Sequence, residues 1–285
     1  MELTNLQRAE VITQALPYIQ KYHNKIIVIK YGGNAMISED LKMQVMEDIV
    51  LLSLIGVKPV LVHGGGPEIS EMLKRVGKES VFVDGLRVTD KETAEIVQMV
   101  LAGKINKHLV NLLGEFGGSA IGISGIDAHL IEAEVKDERL GFVGEITKVN
   151  VQPIIDLLEK DYIPVVSTVG CDNEGNAYNI NADTAASFIA GALKAERLIT
   201  MTDIPGILRD VNDPDSLIKK VNTEEARQLF ADGVISGGMI PKVQCCIDAI
   251  EMGVNKVTIL DGRVPHAVLL ELLTDEGAGT MVKGV

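Results

Sequence analysis

From Lys25 onward the chain alternates short β-branched runs with helical patterns, and no other feature narrows its fold so much. Residues 26–31, 59–63, 120–124, 163–169, 198–202 and 256–261 read as strands. Helical periodicity covers 39–54, 67–76, 91–113, 151–159, 182–193, 223–230, 240–252 and 265–273. Alternation of this kind predicts a mostly parallel sheet covered on both faces. Two hairpins interrupt the pattern: 81–83 with 86–89 about Asp84-Gly85, and a turn at 173–176. No Pro/Ser-rich linker, repeat or low-complexity tract divides the chain. One domain with two lobes meeting near residue 170 is expected. Ahead of it, residues 4–22 read as an amphipathic helix: Thr4 and Gln7 have capping-box spacing, and Leu6, Ala9, Ile12, Leu16 and Ile19 recur at helical intervals. Pro17 removes an amide and crowds the carbonyl of Thr13, so that helix should kink.

Composition excludes several functions. Apolar residues at 46% and charged residues at 24% are those of a chain that folds around a core. A net charge of −13 argues against broad nucleic-acid binding, which needs a basic face. It leaves room for a small anion, since a few lysines and glycine amides can make one cleft positive. No apolar run reaches the roughly 20 residues that span a bilayer. The three cysteines (Cys171, Cys245 and Cys246) form no CxxC pair, so neither a disulfide framework nor a zinc site is indicated. The N-terminus lacks a signal-peptide pattern, and a cytoplasmic location is expected.

Ligands of open parallel sheets bind beyond the carboxyl ends of the strands, and three glycine-rich turns fall there. The first, Lys30-Tyr31-Gly32-Gly33-Asn34, offers main-chain amides to an anion beside a lysine. Its lysine precedes the glycines, which rules out a Walker A loop. The second, His63-Gly64-Gly65-Gly66-Pro67, puts three glycines at the positive end of a helix that Pro67 opens. It lacks the third spaced glycine of a dinucleotide fingerprint, and His63 reads as a structural strand-end residue rather than a catalyst. The third, residues 236–242, brings Gly238 and Met239 to the start of a helix whose first turn carries Lys242. Taken alone, it reads as a helix start with a solvated lysine. Between them, Asn179-Ile180-Asn181-Ala182-Asp183 sets two amides on one side of an extended stretch, with Asp183 opening the next helix. N-capping is what these residue types do routinely, but two amides and a carboxylate so close together read as more than a cap.

Together the ordered motifs KYGGNAM (30–36), HGGGPEI (63–69), DGLRVTD (84–90), NINADTAA (179–186), TDIPGIL (202–208) and GGMIPKV (237–243) resemble the amino-acid kinase family. The resemblance runs from Lys25 to the C-terminus. It implies an α/β fold, a three-layer αββα sandwich around a mostly parallel central sheet, with an extra N-terminal helix. It implies ATP and Mg²⁺, and phosphorylation of the side-chain carboxylate of N-acetyl-L-glutamate to N-acetyl-L-glutamyl 5-phosphate in arginine biosynthesis. Residues 25–170 would bind the acid and 171–285 the ATP, while 1–24 would serve oligomerisation and regulation. Carried over, Lys30 and Lys242 would stabilise the transferring phosphoryl group and Asp183 would hold both lysines. Gly65, Gly66, Arg87, Asn179 and Asn181 would bind the acid. Gly32, Gly33, Gly64, Thr202, Asp203, Gly206, Leu208, Gly238 and Met239 would face the phosphates and nucleotide.

Chemistry agrees with that assignment. A carboxylate nucleophile of pKa about 4.3 is already ionised at neutral pH, so no general base is required. Arg87 suits a bidentate carboxylate grip, which lysine cannot reproduce. The N-terminal helix and the stretch 274–280 resemble an arginine-inhibited subgroup, implying an L-arginine site with Tyr18, Glu276 and Gly279 and a homo-oligomer, a dimer linked into a hexamer. A signalling-protein partner is a further expectation. A carbamate kinase-like enzyme and a non-catalytic nucleotide-binding sensor of the same fold are the alternatives.

Overall fold

The computed structural model describes residues 4–32, 36 and 38–285, without the side chain of Pro214. Gly33, one of the expected phosphate-binding residues, lies outside them. The described strands are, in chain order, β1 Ile26–Tyr31, β2 Lys58–His63, β3 Phe82–Val83, β4 Leu86–Arg87, β5 Ala120–Ser124, β6 Ile131–Val135, β7 Gly144–Val149, β8 Ile163–Ser167, β9 Val169–Cys171, β10 Ala177–Asn179, β11 Arg197–Thr202, β12 Lys220–Asn222, β13 Lys256–Asp261 and β14 Gly279–Lys283. Eight form the main sheet, in the order β12-β14-β13-β11-β1-β2-β8-β5. From β13 to β5 the pairings are all parallel, and β14 joins β13 antiparallel. A second sheet, β10-β9-β6-β7, lies apart from it.

Strand β1 shows why this sheet is central. Ile27, Ile29 and Tyr31 face one core, with helices Glu39–Leu54, Gly66–Arg75 and Ala267–Leu273. Val28 faces the other, with helices Gln152–Glu159, Ala182–Ala192 and Met239–Glu251 and the second sheet. A strand buried on both faces must be apolar on both, and each such side chain contributes about 1.5–3 kcal/mol. Because β1 pairs with β2 on one side and β11 on the other, the halves of the chain share one sheet.

The hairpin at Asp84-Gly85 forms as expected, with both residues at positive φ (50° and 79°) as a two-residue primed turn requires. At the N-terminus, Thr4 and Gln7 make the capping box of helix Asn5–Gln14, and a second helix, Leu16–Tyr22, follows the break ahead of Pro17. Residues 91–113, read as one helix, divide instead into helix Lys91–Gln98, a π-helical turn Met99–Ile105 and helix Asn106–Glu115.

Candidate active site

The carboxyl ends of the parallel strands bring the site together. Lys30, next to last in β1, lies between Val62 of β2 and Thr200 of β11, and only 6% of it is exposed. Gly32 follows because a Cβ there would stand 3.0 Å from Lys30 Nζ. Asp183 opens helix Ala182–Ala192, which packs on helix Met239–Glu251 through Ser187 Oγ donating to the Cys245 carbonyl at 3.0 Å. That packing delivers Lys242 to the same carboxylate: Lys30 Nζ lies 3.0 Å from Asp183 Oδ1 and Lys242 Nζ 3.0 Å from Oδ2. Burial pushes the Asp183 carboxyl up, but the two ammonium charges and their hydrogen bonds outweigh it and hold the group below its ordinary pKa. Three residues separated by more than 200 positions thus form one bridge carrying a net positive charge.

Beside it opens a cleft of about 180 Å³ lined by Gly64, Gly65, Gly66, Arg87, Thr168, Asn179, Ile180, Asn181 and apolar side chains that include Leu101 and Val143. A Cβ on Gly65 would come 2.1 Å from Ile105 Cδ1, so only glycine fits between the π turn and the pocket. Arg87 is almost wholly buried and stacks over Phe82 at 4.7 Å. Its Nη1 donates to Ser80 Oγ at 2.6 Å, and its Nη2 to Ser70 Oγ at 2.8 Å and the Gly66 carbonyl at 3.0 Å. Burial lowers its pKa. Among the described residues no carboxylate pairs with it, so its charge faces the cleft uncompensated. An anionic ligand would supply the missing partner. Asn179 Nδ2 donates to Thr89 Oγ1 at 3.2 Å. Asn181 Oδ1 accepts from the amides of Asp183 and Thr184 at 2.9 and 3.1 Å, so this residue both caps the helix and borders the cleft.

On the other side of β1, Thr202 closes β11 opposite Asp261 of β13, and its hydroxyl meets Asp203 Oδ1 at 3.3 Å. The loop beyond is pinned to β14. Gly206 takes φ 141° with its Cβ direction 2.4 Å from Thr280 Oγ1, and the amide of Ile207 donates to that oxygen at 2.9 Å. Leu208 bridges to Leu217. Gly238 caps helix Met239–Glu251, one turn before Lys242. The donor set fits a metal carried by the nucleotide: Asp183 is already committed to two lysines, and among the described residues no cluster of three His, Cys, Asp or Glu could hold an ion alone.

A separate cavity of about 510 Å³ brings together Tyr18, Glu276 and Gly279, with Lys21, Lys256 and Glu271 in its wall. Tyr18 itself donates to Asp275 Oδ1 at 2.5 Å, so Asp275, within the stretch 274–280 but not singled out there, ties the N-terminal helix to this loop. In the first cleft, the sequence did not mark Val143, Thr168, Phe82 or Leu101 as site residues. Val143 bridges to Asn179 next to β7, a strand whose interrupted apolar pattern gave no period-two signal. Leu101 sits on the π turn, where helical spacing misreports which side chains share a face.

A parallel α/β sheet whose carboxyl edge joins paired lysines to an anion-seeking cleft defines a phosphotransferase for small acids. The amino acid kinase family profile matches residues 25–261. An acetylglutamate kinase of Clostridium beijerinckii is 54% identical over 98% of this chain and 99% of its own, and one of Desulfitobacterium hafniense 56% over 97% of each. Among solved structures, the N-acetylglutamate synthase of Neisseria gonorrhoeae, complexed with coenzyme A and N-acetyl-glutamate, superposes with TM-score 0.85. It is 24% identical, and the match covers 97% of this chain and 63% of that one, so the likeness is one of fold. The chain belongs to the amino acid kinase family.

No helix among the described residues is long and apolar enough to cross a membrane.

Proposed function

We infer that the chain catalyses ATP-dependent phosphorylation of the side-chain carboxylate of N-acetyl-L-glutamate, giving N-acetyl-L-glutamyl 5-phosphate in arginine biosynthesis. The observation that carries the reading is the bridge in which Lys30 and Lys242 each lie 3.0 Å from Asp183. Relatives that share more than half of the sequence are acetylglutamate kinases, which disfavours both the carbamate kinase and the sensor alternatives.

The acceptor carboxylate is ionised at neutral pH, so the protein's task is to align two anions and neutralise charge. Arg87, with no acidic partner of its own among the described residues, grips the acid's α-carboxylate together with Asn179. The amides of Gly65 and Gly66 line its path towards the phosphoryl group. Lys30 and Lys242 approach the phosphoryl oxygens from the two sides of Asp183, which fixes both ammonium groups before the substrates arrive. Preorganised donors of this kind act most strongly in the charge-separated transition state. The loop 202–208 and the Gly238–Met239 turn hold the nucleotide, so residues 25–170 form the acid lobe and 171–285 the ATP lobe of one domain. Mg²⁺, when bound, neutralises the ATP phosphates and would be held mainly by them. The cavity of Tyr18, Glu276 and Gly279 is an L-arginine site, with residues 1–24 linking dimers into a hexamer in the cytoplasm. A signalling protein docked on that assembly is a further part of the proposal.

Trapping the acyl phosphate with hydroxylamine tests this directly. With ATP, the hydroxamate should form with N-acetyl-L-glutamate and not with carbamate or free glutamate. Absence of product with every acid would favour a sensor.

A further inference from the structure

His63 closes β2, is fully buried, and has no part in the chemistry above. Its Nδ1 lies 2.9 Å from the carbonyl oxygen of Gly64, and its Nε2 lies 3.2 Å from Nδ2 of the buried Asn106. The orientation of the Asn106 amide follows from its other neighbours. Nδ2 faces the carbonyls of Val165 at 2.9 Å and Ile123 at 3.3 Å, which can only accept. Oδ1 accepts from Lys107 Nζ at 3.0 Å, and that ammonium also donates to the Gly122 carbonyl at 2.8 Å. The group facing His63 Nε2 is therefore a donor, so Nε2 must be the acceptor and the ring proton resides on Nδ1. From there it is donated to the Gly64 carbonyl. Burial, the larger effect, and the nearby Lys107 charge keep the ring neutral, with a pKa lowered to about 4.

The same peptide is clamped from its other sides. A Cβ on Gly64 would meet Ala182 Cβ at 3.2 Å, and one on Gly65 would meet Ile105 and Leu101 of the π turn at 2.1 and 2.8 Å. In a trans peptide the N–H of Gly65 points opposite to the Gly64 carbonyl. Holding that carbonyl therefore fixes the direction of the Gly65 N–H, within a run of three glycines that all line the cleft. The π turn supplies both clamps, since it sets Leu101 and Ile105 over Gly65 and ends where Asn106 begins the next helix. Such turns recur at functional sites.

We propose that His63, fixed by Asn106 as its Nδ1–H tautomer, is a positioning residue for phosphoryl transfer, aiming the Gly65 amide at the reacting groups. The proposal rests on the kinase reading given above. Any buried histidine must pair both ring nitrogens; what singles this one out is that its Nδ1 partner is the carbonyl of a glycine that lines the cleft.

Two measurements test it, with wild-type acyl phosphate formation as the reference. In ¹⁵N spectra of histidine-labelled wild-type protein, His63 should show a protonated Nδ1 and bare Nε2, unchanged from about pH 8 to about pH 5.5. An Nε2–H tautomer or an imidazolium in that range overturns the proposal, whatever the variants do. In kinetics, His63→Leu should lower kcat on the order of 10²-fold with the KM for ATP within about threefold of wild type. His63→Asn, whose Nδ2 can replace the lost Nδ1–H, should recover most of that loss. A folded His63→Leu enzyme with kcat near wild type, or a His63→Asn enzyme no better than His63→Leu, refutes positioning while leaving the kinase reading intact. A wild-type protein that makes no acyl phosphate ends both.

Discussion

Replacing Asp183 by asparagine keeps the shape of the bridge and removes its charge, and the consequences can be worked from the geometry. Each lysine lies 3.0 Å from a different oxygen of one carboxylate, so the two ammonium groups are at most about 8 Å apart, and about 6 Å if they flank it at an angle. At an effective dielectric of about 20 their repulsion is about 3 kcal/mol. The Lys242 side chain is 28% exposed, so solvent screening reduces the unmasked cost to about 1–2 kcal/mol. In addition, one of the two lysines would face an amide NH₂ in place of an acceptor. Asp183→Asn should therefore lower the melting temperature by several degrees and, by misplacing both lysines, cut kcat by about 10²–10³-fold. ATP should then raise the variant's melting temperature more than the wild type's, because its phosphates restore the missing negative charge. Hydroxamate formation gives the rate, and melting curves with and without ATP give the stability. A variant that turns over and melts like wild type would refute the claim that this carboxylate organises the site.

Lys242→Ala should reduce kcat by about 10²–10³-fold with the fold intact, whereas Arg87→Ala should chiefly raise the KM for the acid; equal KM values would remove Arg87 from substrate binding. Because the Asp183 carboxyl is held below its ordinary pKa when folded, the stability it contributes is fully present above an unfolded value of about 3.9 and is lost as pH falls through the lower folded value. Acid unfolding of Asp183→Asn should lack that component, and an unchanged acid limb would contradict it. Asp48, fully buried against His266 at 2.6 Å, has its pKa raised by burial to about 6, so it has the opposite sign: stability from this group grows as pH falls from about 6 towards 4, and Asp48→Asn should remove that slope in urea titrations. Removing residues 1–22 should leave a smaller, active enzyme whose arginine response is weakened, and an unchanged inhibition curve would separate the helix from any such control.

How much of this was legible in the sequence depends on how local each signal is. Strands β1, β5 and β13 were readable to the residue: β1 and β13 are buried on both faces and so continuously apolar, while β5, half-buried at the edge of the sheet, is set off by the glycines at 117–118 and 125. Strands β6 and β7 were missed: Glu132, Glu134, Glu145 and Lys148 sit among their apolar positions, and the second sheet they form has a solvated face. The antiparallel β14 was hidden by Gly279, whose closeness to the Ile259 carbonyl only the sheet register reveals. Lys30 and Lys242 were candidates from their glycine-rich surroundings, but their convergence on Asp183 depends on two helices packing across the sheet. The π turn was invisible because one extra residue per turn leaves composition unchanged while it shifts every later side chain around the helix.

The mechanism requires Lys30 and Lys242 to share one transferable phosphoryl group. A crystal structure with ADP, N-acetyl-L-glutamate and an aluminium fluoride mimic of the phosphoryl group measures this directly. Both ammonium groups should lie within hydrogen-bond distance of the fluorides, with the acid's carboxylate in line opposite ADP and Arg87 on its far end. A mimic seated away from either lysine, or an acid bound outside the cleft of Gly65 and Asn179, would contradict the mechanism.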